Sequence, residues 1–338
     1  MELKRVGLDL AKNVFQVHGV DGQEVVRCRR QLRRSELLKF FADRPPCLIG
    51  MEACAGAHYW ARELTKLGHT VKLMAPQLVK PYIKSQKNDA NDAEGICEAV
   101  GRPNMRFVPV KTVAQQEVQS AHRIRSELIR QRTAKANQIR GLLAEFGLVV
   151  GKRIEVLRRA LPELLEDGDN GLGGRLRQLL EGLRQDLVQL DERVAELDTA
   201  IKVVAKEDAA CVRLQTIPGI GPLTASALVS AVGDGRQFKN GRQLAAWVGL
   251  VPKQDSSGGK TRLLGISKHG DAYLRTLLIH GARAVQQACA AKTDARSHWL
   301  RELGSRRHKN IAAVALANRN ARMAWVLLTR GETYRAPA

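Results

Sequence analysis

The stretch KRVGLDLAKNVFQVHGVDGQEVVRCRR, residues 4–30, decides how the chain begins. Residues 4 to 10, 13 to 19 and 24 to 30 are short β-type runs, and Asp21-Gly22 between the last two is a two-residue hairpin signal. Three antiparallel strands are therefore expected to open the protein. The first contains Asp9 among Val6, Leu8 and Leu10, a setting that suits a strand interior, where an ionised carboxylate is costly unless paired or metal-bound. Further along, the pattern predicts a helix from about Arg34 to Asp43, the buried-strand run CLIG and a helical stretch from Ala57 to Leu67. A strand HTVKLMA and helices around Leu78 to Ser85 and Asp89 to Val100 follow. Strands first, then helix and strand in alternation, indicate a mixed α/β sheet domain over residues 1–106.

Past Pro109 the strand pattern stops. From about Thr112 to Phe146 the chain reads as one long helix dense in arginine, where Arg123, Arg125, Arg130, Arg132, Lys135 and Arg140 meet a single acid, Glu127. After the Gly-rich break DGDNGLGG, a second long helix places Leu176, Leu180, Leu183, Leu187, Leu190, Val194, Leu197, Ile201 and Val204 three and four apart, a heptad seam. That seam can pack against the preceding helix or between subunits. Either way, residues 107–209 form a coiled-coil helical hairpin between the two ends of the chain.

Residues 210–338 make the last, mainly helical unit. In LQTIPGIGPLTASALVSAVGD the Pro218-Gly219-Ile220-Gly221 break is a helix-hairpin-helix-like segment: it can offer backbone N–H groups to a phosphate, or simply turn the chain. The loop GLVPKQDSSGGKTRLLGISKHGD leads into apolar helices from Tyr273 to Ala291 and Ile311 to Leu328.

The 338 residues carry 55 Lys and Arg against 34 Asp and Glu, a net charge of +21, far beyond what solubility requires. Such an excess fits a polyanionic partner, nucleic acid ahead of an acidic membrane surface. Candidate phosphate contacts are Arg123 and Arg130 on the first long helix, Lys260 and Arg262 beside the DSSGG loop, and Arg306 and Arg307 in the basic terminal region. No apolar run approaches the roughly 18 to 20 residues of a membrane span and no signal-peptide pattern is present, so a cytoplasmic location is expected, nucleoid-associated when bound to DNA. The six cysteines are scattered without zinc-ligand spacing and read as reduced thiols. Aromatics are only 4%, so base-stacking platforms look sparse and recognition mainly of backbone charge and duplex shape is expected.

Asp89 and Asp92 in KNDANDAEGI lie three apart, on one face of a helix, and repel unless a cation sits between them. With Asp9 in GLDLAK and Glu52 in MEACAG they make an all-oxygen set suited to Mg²⁺, or Mn²⁺, rather than zinc. Two such ions stabilise both the attacking and the departing oxygen of a phosphodiester.

These four acids resemble the DEDD motif of RuvC-like, ribonuclease H-fold nuclease domains, and more closely that of DEDD transposases of the insertion-sequence-110 family. The far end agrees: PGIGPLTASAL and then LAAWVGLVPKQDSSGGKTRLLGISKHGDAYLRTLLIHGARAV resemble that family's carboxy-terminal transposase domain, in its 1111-type subgroup. The resemblance implies site-specific recombination of donor and target double-stranded DNA, guided by a structured bridge RNA. It implies that Asp9, Glu52, Asp89 and Asp92 hold the metal, and that a serine of DSSGG forms a covalent 5′-phosphoserine link. Ser257, which directly precedes glycine, is favoured over its neighbour Ser256. Assembly as a homodimer and homotetramer, with a composite active centre, is likewise implied.

The residues alone leave the activating group of the serine open: Asp255 and His269 are close only along the chain. They also admit a metal-dependent junction nuclease that uses water as nucleophile, or a non-catalytic architectural nucleic-acid-binding protein.

Overall fold

The protein is seen as a computed structural model that describes residues 2–84 and 88–335. It divides into two compact units, Met1–Val113 with Gly235–Lys239 and Ala114–Asp234 with Asn240–Ala338. From Ala114 onward, the helical region expected as a separate domain over 107–209 shares one unit with most of 210–338.

In the first unit, β1 (Arg5–Leu10), β2 (Val14–Val20) and β3 (Val26–Arg33) form the antiparallel meander. The expected two-residue hairpin is not what joins β2 to β3. Asp21 Oδ1 accepts from Gln23 N–H and Val25 N–H, Glu24 takes a positive φ of 64°, and the ladder resumes at Val20 and Val26. An aspartate can satisfy backbone donors two and four residues on, so a wider Asx-type turn replaces the tight one. After a 3₁₀ turn at Arg34–Glu36 come α1 (Leu37–Ala42), β4 (Leu48–Glu52), α2 (Ala57–Lys66), β5 (Thr70–Met74) and the short α3 (Pro76–Val79). The helix expected from Leu78 to Ser85 is instead the end of α3 and a 3₁₀ turn at Lys80–Tyr82, broken around Pro81; Ser85 lies outside the described residues. Then come α4 (Asp89–Val100) and β6 (Phe107–Val108), which extends the sheet past the expected boundary at residue 106.

Among the described residues the sheet has six strands in the order β3-β2-β1-β4-β5-β6, parallel between β1, β4 and β5 and antiparallel at both flanks. The period of two along each strand splits its faces. Val6 and Leu8 with Ile49 and Met51 pack under Leu37, Phe41, Trp60 and Leu64 of α1 and α2. The opposite face carries Gly7, Asp9, Gly50 and Glu52 and takes α4.

The second unit opens with α5 (Val113–Ala144), α6 (Ile154–Glu166) and α7 (Gly174–Glu207). The heptad seam packs within the chain: Leu180 and Leu187 join Ala136, Ile139 and Leu143 of α5, with Leu157 and Leu161 of α6 covering the tip. Then follow α8 (Ala209–Gln215), α9 (Pro222–Val232) and α10 (Gly241–Trp247), and a hairpin of β7 (Pro252–Gln254) and β8 (Leu263–Ile266). The unit ends with α11 (Ala272–Ala288), α12 (Ala295–Arg306) and α13 (Lys309–Arg330). Both α6 and α12 lie where the sequence reading placed no element. The Pro218–Gly221 turn packs against α11: Gly219 has φ 94°, and a Cβ there would come within 3.0 Å of Gly281 O. No helix among the described residues is long and apolar enough to cross a membrane.

Candidate metal centre and serine hairpin

Gly7 on β1 and Gly50 on β4 pair directly, and α4 rests on them. A Cβ on Gly7 would lie 2.8 Å from Cys97 Cβ and closer still to Ala93 O and Cys97 N, while one on Gly50 would lie 2.7 Å from Val100 Cβ. Only residues without side chains let the helix come this close. Two residues further along each strand, on the same face, stand Asp9 and Glu52. Helix α4 runs so that Val100 covers Gly50 and Ala93 covers Gly7, which brings its first turn over Asp9.

One carboxylate oxygen each of Asp9, Asp89 and Asp92 lies within 4.8 Å of the other two. Glu52 is not part of that trio, although it occupies the neighbouring strand position. The Cys54 thiol, held above its ordinary value first by loss of surrounding water, is raised further by both the Glu52 and the Asp9 carboxylates, which places the two acids on one locale. Asn88 caps α4 by accepting from Asn91 N–H at 2.8 Å, and Asp89 and Asp92 fall in the first turn, where the helix dipole favours anions.

Helix dipole alone does not account for Asp92. Its Oδ1 is buried and has no hydrogen-bond partner among the described residues. A buried carboxylate oxygen without a donor, beside two further carboxylates, is expensive by several kcal/mol unless a cation completes the set. The residues present therefore fit a hard divalent ion held by oxygen ligands.

In the second unit the DSSGG segment is the tip of a hairpin rather than a featureless loop. Ser257 and Lys260 form a β-bridge, Lys260 N–H donates to Ser257 O at 3.0 Å, and Gly258 and Gly259 both have positive φ, 54° and 76°, as a two-residue type I′ turn requires. Ser256 Oγ accepts from Arg262 N–H at 3.1 Å and from Gln254 Nε2 at 3.0 Å, so it serves the hairpin itself. The exposed Ser257 hydroxyl makes no hydrogen bond to another described residue. Neither Asp255 nor His269 bonds it: Asp255 N–H donates to Arg262 O and His269 N–H to Ser267 Oγ. At the base, Arg275 donates to Val248 O at 2.9 Å and His269 O at 3.1 Å. Gly249 and Gly270 there have positive φ, and a Cβ on Gly270 would lie within 3.0 Å of Trp247 C.

The candidate phosphate contacts divide. Arg123, Lys260, Arg262 and Arg307 are exposed and form no ion pair with a described residue. Arg130 is committed to Glu127 through two bonds of 2.8 and 2.6 Å, which with Gln131 hold the Glu127 carboxyl down to about 2. Arg306 lies 3.4 Å from Glu302. The arginine-dense helix is also less bare than its own segment implies, since Arg125, Arg132 and Lys135 pair with Asp198, Asp191 and Asp186 of α7.

Comparison with known proteins matches two separate stretches of the chain. The family model DEDD_Tnp_IS110, described as a transposase, matches residues 6–147, and the model described as "Transposase IS116/IS110/IS902 family" matches residues 211–298. The chain is 57% identical over 336 residues to a probable family 20 transposase of Pseudomonas aeruginosa, covering 99% of both. It is 47% identical to the transposase for insertion sequence element IS1111A of Coxiella burnetii, over all of this chain and 93% of that one. To the transposase for insertion sequence element IS1328 of Yersinia enterocolitica it is 42% identical, over 97% and 98%.

Proposed function

Because the chain belongs to the IS116/IS110/IS902 family of transposases, we propose that it is a metal-dependent recombinase that moves its element between donor and target double-stranded DNA under the guidance of a structured bridge RNA. The observation that carries this reading is the trio of Asp9, Asp89 and Asp92 with the orphaned Asp92 Oδ1. In this reading the first unit is a RuvC-like, ribonuclease H-fold domain, and Glu52 is the fourth ligand, brought in when the ion is bound.

Mg²⁺, or Mn²⁺, when bound supplies positive charge against the phosphate oxygens and the departing oxygen. The carboxylates fix where that charge sits. Ser257 Oγ forms a bond to phosphorus as the bond to the 3′ oxygen breaks; the serine proton is lost and the 3′ oxygen gains one, leaving a 5′-phosphoserine. An incoming 3′ hydroxyl reverses the step on the new partner strand. Ser257 is supported over Ser256 by its uncommitted hydroxyl, while Lys260 and Arg262 stand close enough along the hairpin to balance the phosphate charge. The metal site and the serine belong to different subunits of a homodimer, which pairs into a homotetramer. The free cations Arg123 and Arg307 hold nucleic-acid backbone, with Arg130 and Arg306 joining after exchange of their acidic partners.

The test is to incubate the protein with Mg²⁺, its bridge RNA and end-labelled target DNA, then identify the DNA-bearing peptide by denaturing gel and mass spectrometry. DNA attached to Ser257, lost in Asp9→Asn and Ser257→Ala, is expected. Cleavage that survives Ser257→Ala and leaves no adduct identifies a water-using nuclease instead; binding without any cleavage in Mg²⁺ identifies an architectural protein.

A further inference from the structure

The second unit contains a groove lined by arginines and tryptophans. It has a volume of about 720 Å³, within the roughly 300–1,000 Å³ typical of small-ligand sites. Three arginines line it, Arg242 from α10 and Arg319 and Arg322 from α13, and no acid does. None of the three forms an ion pair with a described residue, in a protein where Arg125, Arg132, Arg158 and Arg184 are all paired. Two of the chain's four tryptophans, the half-buried Trp299 and Trp325, share the same groove. Arg319 already lies over the Trp299 ring, 5.3 Å from its centroid.

The convergence of these groups has a local cause. Gly241 sits where α10 meets α13: a Cβ there would lie 2.7 Å from Arg322 O and 2.9 Å from Arg322 Cα. The missing side chain allows the two helices to touch, and the next residue, Arg242, is thereby brought alongside Arg322. Asn318, on the same stretch of α13, donates to Leu250 O at 3.1 Å and ties the groove to the chain leading into β7.

Unpaired guanidinium groups attract phosphate, and an indole ring with arginine over one face, as Trp299 has Arg319, offers its other face to a base. Duplex nucleic acid keeps its bases stacked inside and can use only the first of these features. An unpaired nucleotide uses both. We propose that this groove binds a single-stranded nucleotide segment, with a base stacked on Trp299 and phosphates on Arg242, Arg319 and Arg322. The inference rests on the reading of the chain as a nucleic-acid-handling protein, but not on its carboxylate or serine chemistry. It also revises the expectation of sparse stacking: the aromatics are few, yet two are gathered in one place.

The experiment measures binding of the full chain to fluorescently labelled oligothymidylate, oligouridylate and a blunt DNA hairpin of equal phosphate number. Intrinsic tryptophan emission is followed in parallel. The expected result is quenching by the single strands and not by the hairpin. Trp299→Leu should weaken single-strand binding by roughly 5- to 150-fold, the range that one base–aromatic stack implies, and leave hairpin binding unchanged. The pair Arg319→Gln with Arg322→Gln should lower the single-strand affinity and flatten its salt dependence, by ~0.7 in slope for each phosphate released. A stronger response to oligouridylate identifies RNA as the source of the segment, and to oligothymidylate, DNA. Trp299→Phe keeps a ring and should retain most of the affinity, which separates stacking from folding. Equal binding of strand and hairpin, or an unchanged affinity in folded Trp299→Leu, overturns the inference. Asp9→Asn should bind the strands normally, so failure of the groove and failure of the proposed recombination are read separately.

Discussion

Gly7 and Gly50 stand opposite each other on adjacent parallel strands, and α4 rests directly on both, with no side chain of theirs between helix and sheet. The seat of this helix sets where Asp89 and Asp92 stand relative to Asp9.

Gly7→Ala should therefore disable the carboxylate centre without touching a carboxylate. Overpacking of this kind costs about 1–3 kcal/mol or more. Gly22→Ala, placed in open space, should be close to neutral. Thermal unfolding of both variants with and without Mg²⁺ checks the pair; a Gly7→Ala protein as stable and as Mg²⁺-responsive as the parent contradicts the seating.

Removal of the ion should expose the mutual repulsion of the three aspartates. Unfolding stability should rise with Mg²⁺, by ~2.7 kcal/mol when the ion stands at 100 times its dissociation constant. Asp92→Asn should lose this increment while being no less stable than the parent in EDTA, because the buried oxygen no longer belongs to a charged group. Denaturant titrations in EDTA and in Mg²⁺ give both numbers.

Much of this centre can be read along the chain, and some of it could have been read more fully. Asp9 stands out as an acid within an apolar strand, and the Asp89/Asp92 pair as two acids on one helical face. The spacing that seats α4 is equally local: Gly7-Leu8-Asp9 and Gly50-Met51-Glu52 repeat a glycine two residues before an acid on two strands that turn out to be neighbours. What stays hidden is pairing over distance. Nothing near Arg125 or Arg132 in sequence announces Asp198 or Asp191, so the first long helix looks more cationic than it is. Helices α6 and α12 are hard to see along the chain because charges interrupt their apolar positions, and α6 carries Pro162 inside it; Leu157 and Leu161 show their purpose only once packed on α5 and α7.

His122 should make the second unit sensitive to acid. It is buried, its Nδ1 lies 2.9 Å from the Tyr273 hydroxyl and its Nε2 3.0 Å from Ser226 Oγ. Ser226 donates its own proton to Pro222 O, so His122 is the Nε2–H tautomer and Tyr273 donates to Nδ1. Burial first, and then the Arg125 charge, lower its pKa from 6.5 to about 4. Unfolding frees the ring to take up a proton, so the contribution is intact above pH ~6.5 and is lost as pH falls towards about 4, on the order of 3 kcal/mol in all. His122→Gln should show less of this fall than the parent when unfolding is measured at pH 7 and pH 4.5; equal falls would assign the acid sensitivity to carboxylates.

Arg275 should act on the serine hairpin from below. Its two bonds to Val248 O and His269 O join the strands' points of entry and exit. Arg275→Met should slow covalent attachment of DNA by roughly 10- to 100-fold, since a displacement of about 1 Å is enough for that, while DNA affinity changes little. Adduct formation timed against equilibrium binding distinguishes the two effects. An unaltered rate would show that the glycines at the base suffice.

The order in which the carboxylates appear along the chain has its own outcome. Asp9 and Glu52 lie on strands completed early, whereas Asp89 and Asp92 begin a helix that has nowhere to lie until both glycine-bearing strands are paired. During synthesis, a ribosome-bound fragment that ends before residue 88 carries only half the acids, and a misfolded product cannot gather them. The full set of carboxylates is thus withheld from any nascent chain that has not yet reached Asp92, a delay that needs no inhibitor.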